Sequence, residues 1–203
     1  MKIKLGNKVM VSDPCYGLDT WCQGVLENVL PGTYNCKVEY SDEGVFGKRV
    51  AAIEVVNENC DGIIVFEPED FEVGVDSGQA GIFDYEYYAK YHSDCKERSH
   101  VDDDWYDRVC ELTCRSVVNP NYEEFKWEAT EDLMEKYEAY KRSGKSWRYT
   151  QQLTADQIDE LGFVSSSGFG DGSYTCWTAR DEDNRIIAIR IEYITEDEYE
   201  EEE

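Results

Sequence analysis

Alternating hydrophobic and polar residues predict β-strands along most of the chain. In Thr33–Ser41, the residues Tyr34, Cys36, Val38 and Tyr40 recur with period two, which places them on one face of a strand. Glycine turn residues separate this run from the β-branched run Arg49–Asn57, and the pair predicts an antiparallel hairpin. Further strands are predicted at Lys8–Ser12, Trp21–Leu30, Ile63–Phe66 and Phe71–Val75.

A second hairpin is predicted near the end, where Tyr174–Arg180 is followed by a turn and by residues 186–191. Isoleucines occupy both faces of this last strand, which indicates that it lies inside a sheet.

Helical spacing begins after Asp84. We predict three helices from different sequence features. The first, Trp105–Arg115, follows a run of acidic residues that suits a helix N-terminus, and the second, Thr130–Lys141, carries charged pairs at i,i+4. The third starts at Thr154, where Gln157 completes a capping box, and ends before Gly162.

The order of these elements does not alternate strand and helix, which favours a mainly β fold of the α+β class. We expect an antiparallel β-sandwich or curled sheet with about three added helices. We predict one β-rich domain over residues 1–194 with a helical insertion at about residues 121–161. Residues 195–203, TEDEYEEEE, carry like charges and predict an acidic disordered tail.

Composition narrows the classes of partner. The chain has 203 residues, of which 41% are hydrophobic, enough for one sizeable core. A net charge of -25 opposes binding to nucleic acid and permits cationic partners, DNA mimicry or a simple role in solubility. The sequence has no run of 18 apolar residues and starts without an apolar leader, so we expect no membrane association and a cytoplasmic location.

Eight cysteines suggest a disulfide framework at first sight. Most lie inside apolar runs of a chain without an export signal, so we expect them to be reduced, unmetallated and mostly buried. A zinc site remains an alternative, because two cysteines stand four apart near further ligand types, namely Cys110, Cys114, His92, Cys95 and His100.

Two glycine-rich segments are candidate functional loops. Gly162–Tyr174 reads GFVSSSGFGDGSY, and we expect Gly168, Gly170 and Gly172 to adopt positive φ or to approach a ligand closely. The alternative is a glycine hairpin or β-bulge that joins two strands for purely geometric reasons. Val75–Asp84 reads VDSGQAGIFD and is unusually polar for a strand.

These segments also carry a family resemblance. Together with VSDPCY and the pair Trp21–Cys22, VDSGQAGIFD and GFVSSSGFGDGSY resemble a bacterial and phage family of unknown function marked by DSGQAGIFD and SSGxGDGxY. The resemblance covers most of Val9–Ile194 and implies no particular reaction. The long segment Asn121–Gln152 departs from the pattern, where a short connection is expected.

Four aspartates in turns suggest a shared site. With neighbouring serine and glutamine side chains they could hold a hard cation, so a divalent cation is the one cofactor that the residues suggest. The alternative is that each aspartate bonds its own backbone. Cys15 has no clear histidine partner, since both histidines lie in a segment expected to be irregular. The predicted ligand-binding residues are Asp13, Cys15, Tyr16, Asp76, Ser77, Gln79, Asp84, Ser166, Gly170, Asp171 and Tyr174.

Three functions are therefore open, and catalytic residues remain unknown. We expect a non-enzymatic binding module whose glycine, serine and aspartate loops capture a small molecule or a protein segment. The alternatives are a metal-dependent hydrolase that uses clustered aspartates and an acidic, phage-encoded inhibitor or interaction protein. We predict that VSDPCY, VDSGQAGIFD and SSSGFGDGSY meet in space, because each combines turn residues and polar groups next to a strand end.

Overall fold

A computed structural model describes residues 1–44, 47–92, 101–119 and 148–195. The chain divides into two compact units, one formed by Met1–Thr113 with Leu153–Glu203 and the other by Cys114–Gln152. In the second unit the structure describes a two-stranded sheet of β8 (Cys114–Asn119) and β9 (Arg148–Leu153). The predicted helix at 130–141 lies outside the described residues, as do most of the predicted insertion and residues 196–203 of the tail.

The first unit contains a six-stranded antiparallel sheet. Its order in space is β1 (Lys2–Leu5), β4 (Gly32–Asp42), β5 (Lys48–Asn57), β13 (Ile186–Glu192), β12 (Gly172–Arg180) and β6 (Glu67–Val75). Both predicted hairpins are confirmed, because β4 pairs with β5 and β12 pairs with β13.

A five-stranded antiparallel sheet forms the second layer. Its order is β10 (Ala155–Ile158), β11 (Gly162–Ser166), β7 (Gln79–Asp84), β2 (Lys8–Ser12) and β3 (Gly24–Glu27). The chain passes from one sheet to the other through the glycine loop between β11 and β12. The predicted alternative of a glycine hairpin is therefore wrong, since these two strands belong to different sheets.

The core lies between the two sheets. Ile53 and Ile189 from the six-stranded sheet and Val9, Ile82 and Phe163 from the five-stranded sheet belong to one cluster and are fully buried. Burial of these side chains is the main contribution to the stability of this layer pair. The prediction of a mainly β fold is confirmed.

Two helices form a second core with the five-stranded sheet. They are α1 (Tyr85–His92) and α2 (Asp103–Thr113), and Tyr88 and Trp105 pack on Phe83 of β7. Aspartates cap both N-termini: the carboxylate of Asp84 accepts from the amide of Tyr87, and that of Asp102 accepts from the amide of Trp105. The predicted helix at 105–115 is confirmed, with ends two residues earlier.

Several predicted elements are wrong. The described residues contain two helices instead of about three, and one of them, α1, was not among the three predicted. The segment after Thr154 forms β10, which pairs with β11 from Ala155 opposite Ser165. Non-local pairing here overrides the capping-box signal. Ile63–Phe66 is not a strand, and β6 begins at Glu67. His92 ends α1 and is not in an irregular segment.

No helix in the described parts of the chain combines the length and apolarity that a membrane span requires.

Candidate functional site

Three sequence motifs meet at what we call the motif junction: the loop Asp13–Tyr16, the turn Asp76–Gln79 and the loop Ser166–Asp171. The buried carboxylate of Asp13 connects the first two. It accepts hydrogen bonds from the amides of Cys15 (2.8 Å), Asp76 (2.9 Å) and Ser77 (2.7 Å) and from the Ser77 hydroxyl (2.7 Å). Because four donors occupy its two oxygens, Asp13 holds the loops together.

The glycine loop docks on the same turn. The amide of Ser167 donates to the carbonyl of Gly78 at 3.0 Å. Gly78 has a φ of 72°, and a Cβ there would lie 3.8 Å from the Cα of Gly170, which has a φ of 114°. Both positions therefore favour glycine through their positive φ, and the two loops are in van der Waals contact at Gly78. Gly168 also has positive φ, as predicted, whereas Gly172 does not.

The side chain of Tyr174 stabilises the glycine loop through hydrogen bonds to its backbone. Its phenol lies 2.6 Å from the carbonyl of Gly170 and 3.1 Å from that of Ser167, and the Ser167 hydroxyl donates to the Gly170 carbonyl at 2.8 Å. Burial raises the pKa of Tyr174, so the phenol stays protonated as a donor. The polar groups of this loop are largely paired with one another.

Beside the junction, the end of α2 packs on the five-stranded sheet and places a cluster of polar side chains next to it. We call this the α2 crevice and define it by Gln79, Tyr106, Cys110, Thr113 and Ser166, with Cys15 and Ser77 at its rim. The carbonyl of Gln79 accepts from the Thr113 hydroxyl at 2.8 Å. Its amide nitrogen lies 3.4 Å from the Tyr106 phenol, which is long for an N–H···O hydrogen bond. It lies 3.5 Å from the sulfur of Cys110, which is a weak acceptor.

Ser166 is the cross-strand neighbour of Gln79 in the ladder between β11 and β7. Side chains alternate along a strand, and the preceding Ser165 points into the core, where its hydroxyl pairs with Tyr193 at 2.9 Å. Ser166 therefore points to the helix side, as Gln79 does. It is 4% exposed, and its hydroxyl has no hydrogen-bond partner within the described part of the chain.

Cys15 at the rim of the α2 crevice and Tyr106 within it are half-buried, and neither side chain is charged at neutral pH. Burial raises the pKa of the Cys15 thiol well above its usual range, and the neighbouring Asp13 carboxylate raises it further. Burial likewise raises the pKa of Tyr106 to about 12, although the Ser77 side chain opposes the shift. Both groups are protonated at neutral pH, so they act as hydrogen-bonding groups there and not as nucleophiles.

Other predicted residues lie outside the crevice. Asp76 and Asp171 are exposed and each stands one residue beyond the last ladder pair, Val75 with Gly172. The phenol of Tyr16 has a raised pKa through burial and a hydrogen bond to Asp76. Asp84 is not brought to the junction: it lies at the far end of β7 from Gln79, where its carboxylate accepts from the amide of Gly6 at 2.9 Å and caps α1.

Metal ligands do not converge in the described residues, where no group of three or more histidine, cysteine, aspartate or glutamate side chains could hold an ion. Six described cysteines are free: Cys22 and Cys176 are buried and Cys15, Cys36, Cys60 and Cys110 are half-buried. Fewer of these are buried than expected. Cys95 and His100, two candidate zinc ligands, fall outside the described residues.

A depression of about 980 Å³ lies against the six-stranded sheet. We call it the acidic cleft; it is lined by Glu39, Tyr40, Ser41, Asp42, Glu43, Ala51, Trp177, Arg190, Glu192, Ile194 and Thr195. Arg190 contacts Glu39 at 2.7 Å, Glu192 at 3.1 Å and Glu54 at 3.4 Å. Hydrogen bonds from Arg190 and Lys37 hold the pKa of Glu39 at about 2, so this carboxylate stays charged.

Comparison with family models gives a match over residues 5–191, described as "Protein of unknown function (DUF4241)". The chain belongs to this family. The expectation of membership in a family of unknown function is thus confirmed. Neither the curated proteins nor the solved structures contain a match to the chain. The match covers the three motifs, α2, the five-stranded sheet and the six-stranded sheet except most of β1, and it assigns no activity to them.

Sequence reasoning about this family member missed the contribution of α2. Tyr106, Cys110 and Thr113 follow one another at spacings of four and three residues, which places them on one face of a helix. Their polar atoms all lie near Gln79. That spacing was the available signal, but only the fold shows which strand the face covers.

Proposed function

We propose that this protein is a non-enzymatic binding module that captures a small molecule or a protein segment at the α2 crevice. The observation that supports the proposal is the concentration of neutral hydrogen-bonding side chains around Gln79, next to loops that are locked by Asp13. A locked frame reduces the entropy lost when a ligand binds.

The chemistry of the crevice favours binding over catalysis. Cys15 and Tyr106 are protonated at neutral pH, and the Ser77 hydroxyl donates to a carboxylate without an intervening histidine. His92 packs instead against Tyr88 and Trp105, with ring centroids 3.9 Å and 5.2 Å away. Nucleophilic catalysis needs an activated nucleophile beside a base, and the described residues of the crevice supply no such pair.

Native mass spectrometry tests this function. Purified protein is incubated with the low-molecular-mass fraction of a bacterial extract, and bound molecules are released by denaturation. We expect a non-covalent adduct whose released mass equals that of a molecule in the untreated fraction, and its loss in Gln79→Ala. The matched control is Asp183→Asn, in the exposed turn at the far end of β12 from Gly172, which should keep the adduct. A chemically altered product, or an adduct that survives in Gln79→Ala, would contradict the proposal.

A second candidate function, an acidic interaction protein for a basic partner, is favoured by the acidic cleft. The cleft is lined by four carboxylates, two aromatic rings and one arginine. Carboxylates and aromatic rings attract the side chains of lysine and arginine. We expect poly-lysine to bind to the protein. This binding should weaken when Thr195–Glu203 is deleted, and also in the double variant Glu39→Gln with Glu192→Gln. If neither change weakens binding at moderate salt, this function is wrong.

The metal-dependent hydrolase has less support, because Asp84 lies apart and Asp13 is occupied by four donors. Thermal unfolding with calcium, magnesium, manganese or EDTA separates it from the binding module. A cation that raises the melting temperature saturably would favour the hydrolase.

A further inference from the structure

We infer that the ligand of the α2 crevice presents an uncharged carbonyl or amide oxygen, which accepts hydrogen bonds from Ser166 and from Gln79. This inference rests on the proposed function and specifies the ligand class. It starts from Ser166, a buried hydroxyl that has no partner within the described residues. Leaving such a group unpaired in the interior costs stability, so its retention at this position indicates a partner outside the chain.

The geometry of the two strands sets the distance between the donors. Ser166 and Gln79 are directly opposite in an antiparallel ladder, so their Cβ atoms are about 5 Å apart and point the same way. The nitrogen of Gln79 has two weak partners, a phenol at the long distance of 3.4 Å and the poorly accepting sulfur of a thiol at 3.5 Å. The unpartnered Ser166 hydroxyl and the weakly bonded Gln79 nitrogen lie on adjacent positions, and together they suit one oxygen atom with two lone pairs.

The charges around the crevice favour a neutral ligand. The described residues that form it include no lysine or arginine to pair with an anion, and Asp13 would repel one from the rim. A cation gains little there, because the oxygens of Asp13 are occupied by four donors and the neighbouring Gln79 nitrogen can only donate. Amide and carbonyl oxygens fit this pattern, whether they belong to a small molecule or to the backbone of a protein segment.

Amide NMR spectra of the full chain test the inference with defined probes. N-methylacetamide represents a small molecule, capped triglycine represents a backbone segment, and acetate and methylammonium are charged controls of similar size. We expect saturable shifts of the Ser166 and Gln79 signals with one or both amides and not with the charged probes. Saturation by N-methylacetamide alone identifies a small-molecule site, whereas markedly tighter binding of triglycine identifies a segment site.

Ser166→Ala and Ser165→Ala form a matched pair of variants. Ser166→Ala should weaken amide binding about fivefold, the effect of one lost hydrogen bond, and should raise the melting temperature of the free protein by a few degrees. Ser165→Ala removes a paired hydroxyl, so it should lower the melting temperature and leave amide affinity unchanged.

Three results would overturn the inference: charged probes that bind as well as amides, amide binding that is unaffected in Ser166→Ala, or a crystal structure in which one water pairs with Ser166 and no amide probe binds. If the extract yields an adduct that depends on Gln79 while amides do not bind, the ligand class is wrong and the binding function stands. If neither binds, both are wrong.

Discussion

Lowering the pH should destabilise the folded state of this protein partly through one histidine. His92 is 1% exposed at the end of α1, and neither of its ring nitrogens has a partner in the described structure. Burial lowers its pKa from 6.5 to about 4. The folded state therefore resists protonation of this imidazole, whereas the unfolded chain takes up the proton readily.

The sign and size follow from the two pKa values. Above pH 6.5 the side chain is neutral in both states and does not change the free energy of unfolding. As the pH falls below 6.5, only the unfolded state gains a proton, and this stabilises the unfolded state relative to the folded state. Between about pH 7 and about pH 5 this difference removes about 2 kcal/mol from the free energy of unfolding. The loss continues until the pH reaches about 4, where the folded state also protonates.

Urea unfolding at the two pH values measures the effect. His92→Leu cannot titrate and retains an apolar side chain, so its free energy of unfolding should fall by about 2 kcal/mol less than that of the wild type. His100→Gln, which removes the other histidine of the chain, is the control for general acid effects. Equal pH dependence of the wild type and His92→Leu would refute the reasoning.

Three further predictions concern charged groups. Asp13→Asn replaces one carboxylate oxygen, which accepts two of the four hydrogen bonds, by a nitrogen that cannot accept. The free energy of unfolding measured with urea should therefore fall by about 3 kcal/mol. A change below about 0.5 kcal/mol would mean that the loops stay together without this carboxylate. Arg190→Met should raise the pKa of Glu39 from about 2 towards 4.5 in carboxyl NMR titrations, and an unmoved pKa would show that Arg190 is not its cause. The exposed Asp171→Asn should change stability by no more than about 0.5 kcal/mol, so a larger loss in thermal unfolding would indicate a structural role.

The motif residues show how far sequence reasoning reaches for the site. Asp13, Ser77 and Gln79 were predicted from their polar, turn-rich surroundings, and their segments do converge. Asp84 shares the same local chemistry but lies at the other end of β7. A strand separates residues by about 3.3 Å each, so position along β7 decides which end a side chain reaches.

Local pattern determined most strands, both hairpins and α2, because alternation and helical spacing are properties of neighbouring residues. The pattern failed in Val75–Asp84, which is unusually polar for a strand, because its second half, Gln79–Asp84, forms the central strand β7. Its backbone pairs with β2 and β11, and its glutamine finds partners on α2, all distant in sequence. Only the tertiary structure decided this strand and the α2 crevice, since buried polar groups depend on partners that folding brings together.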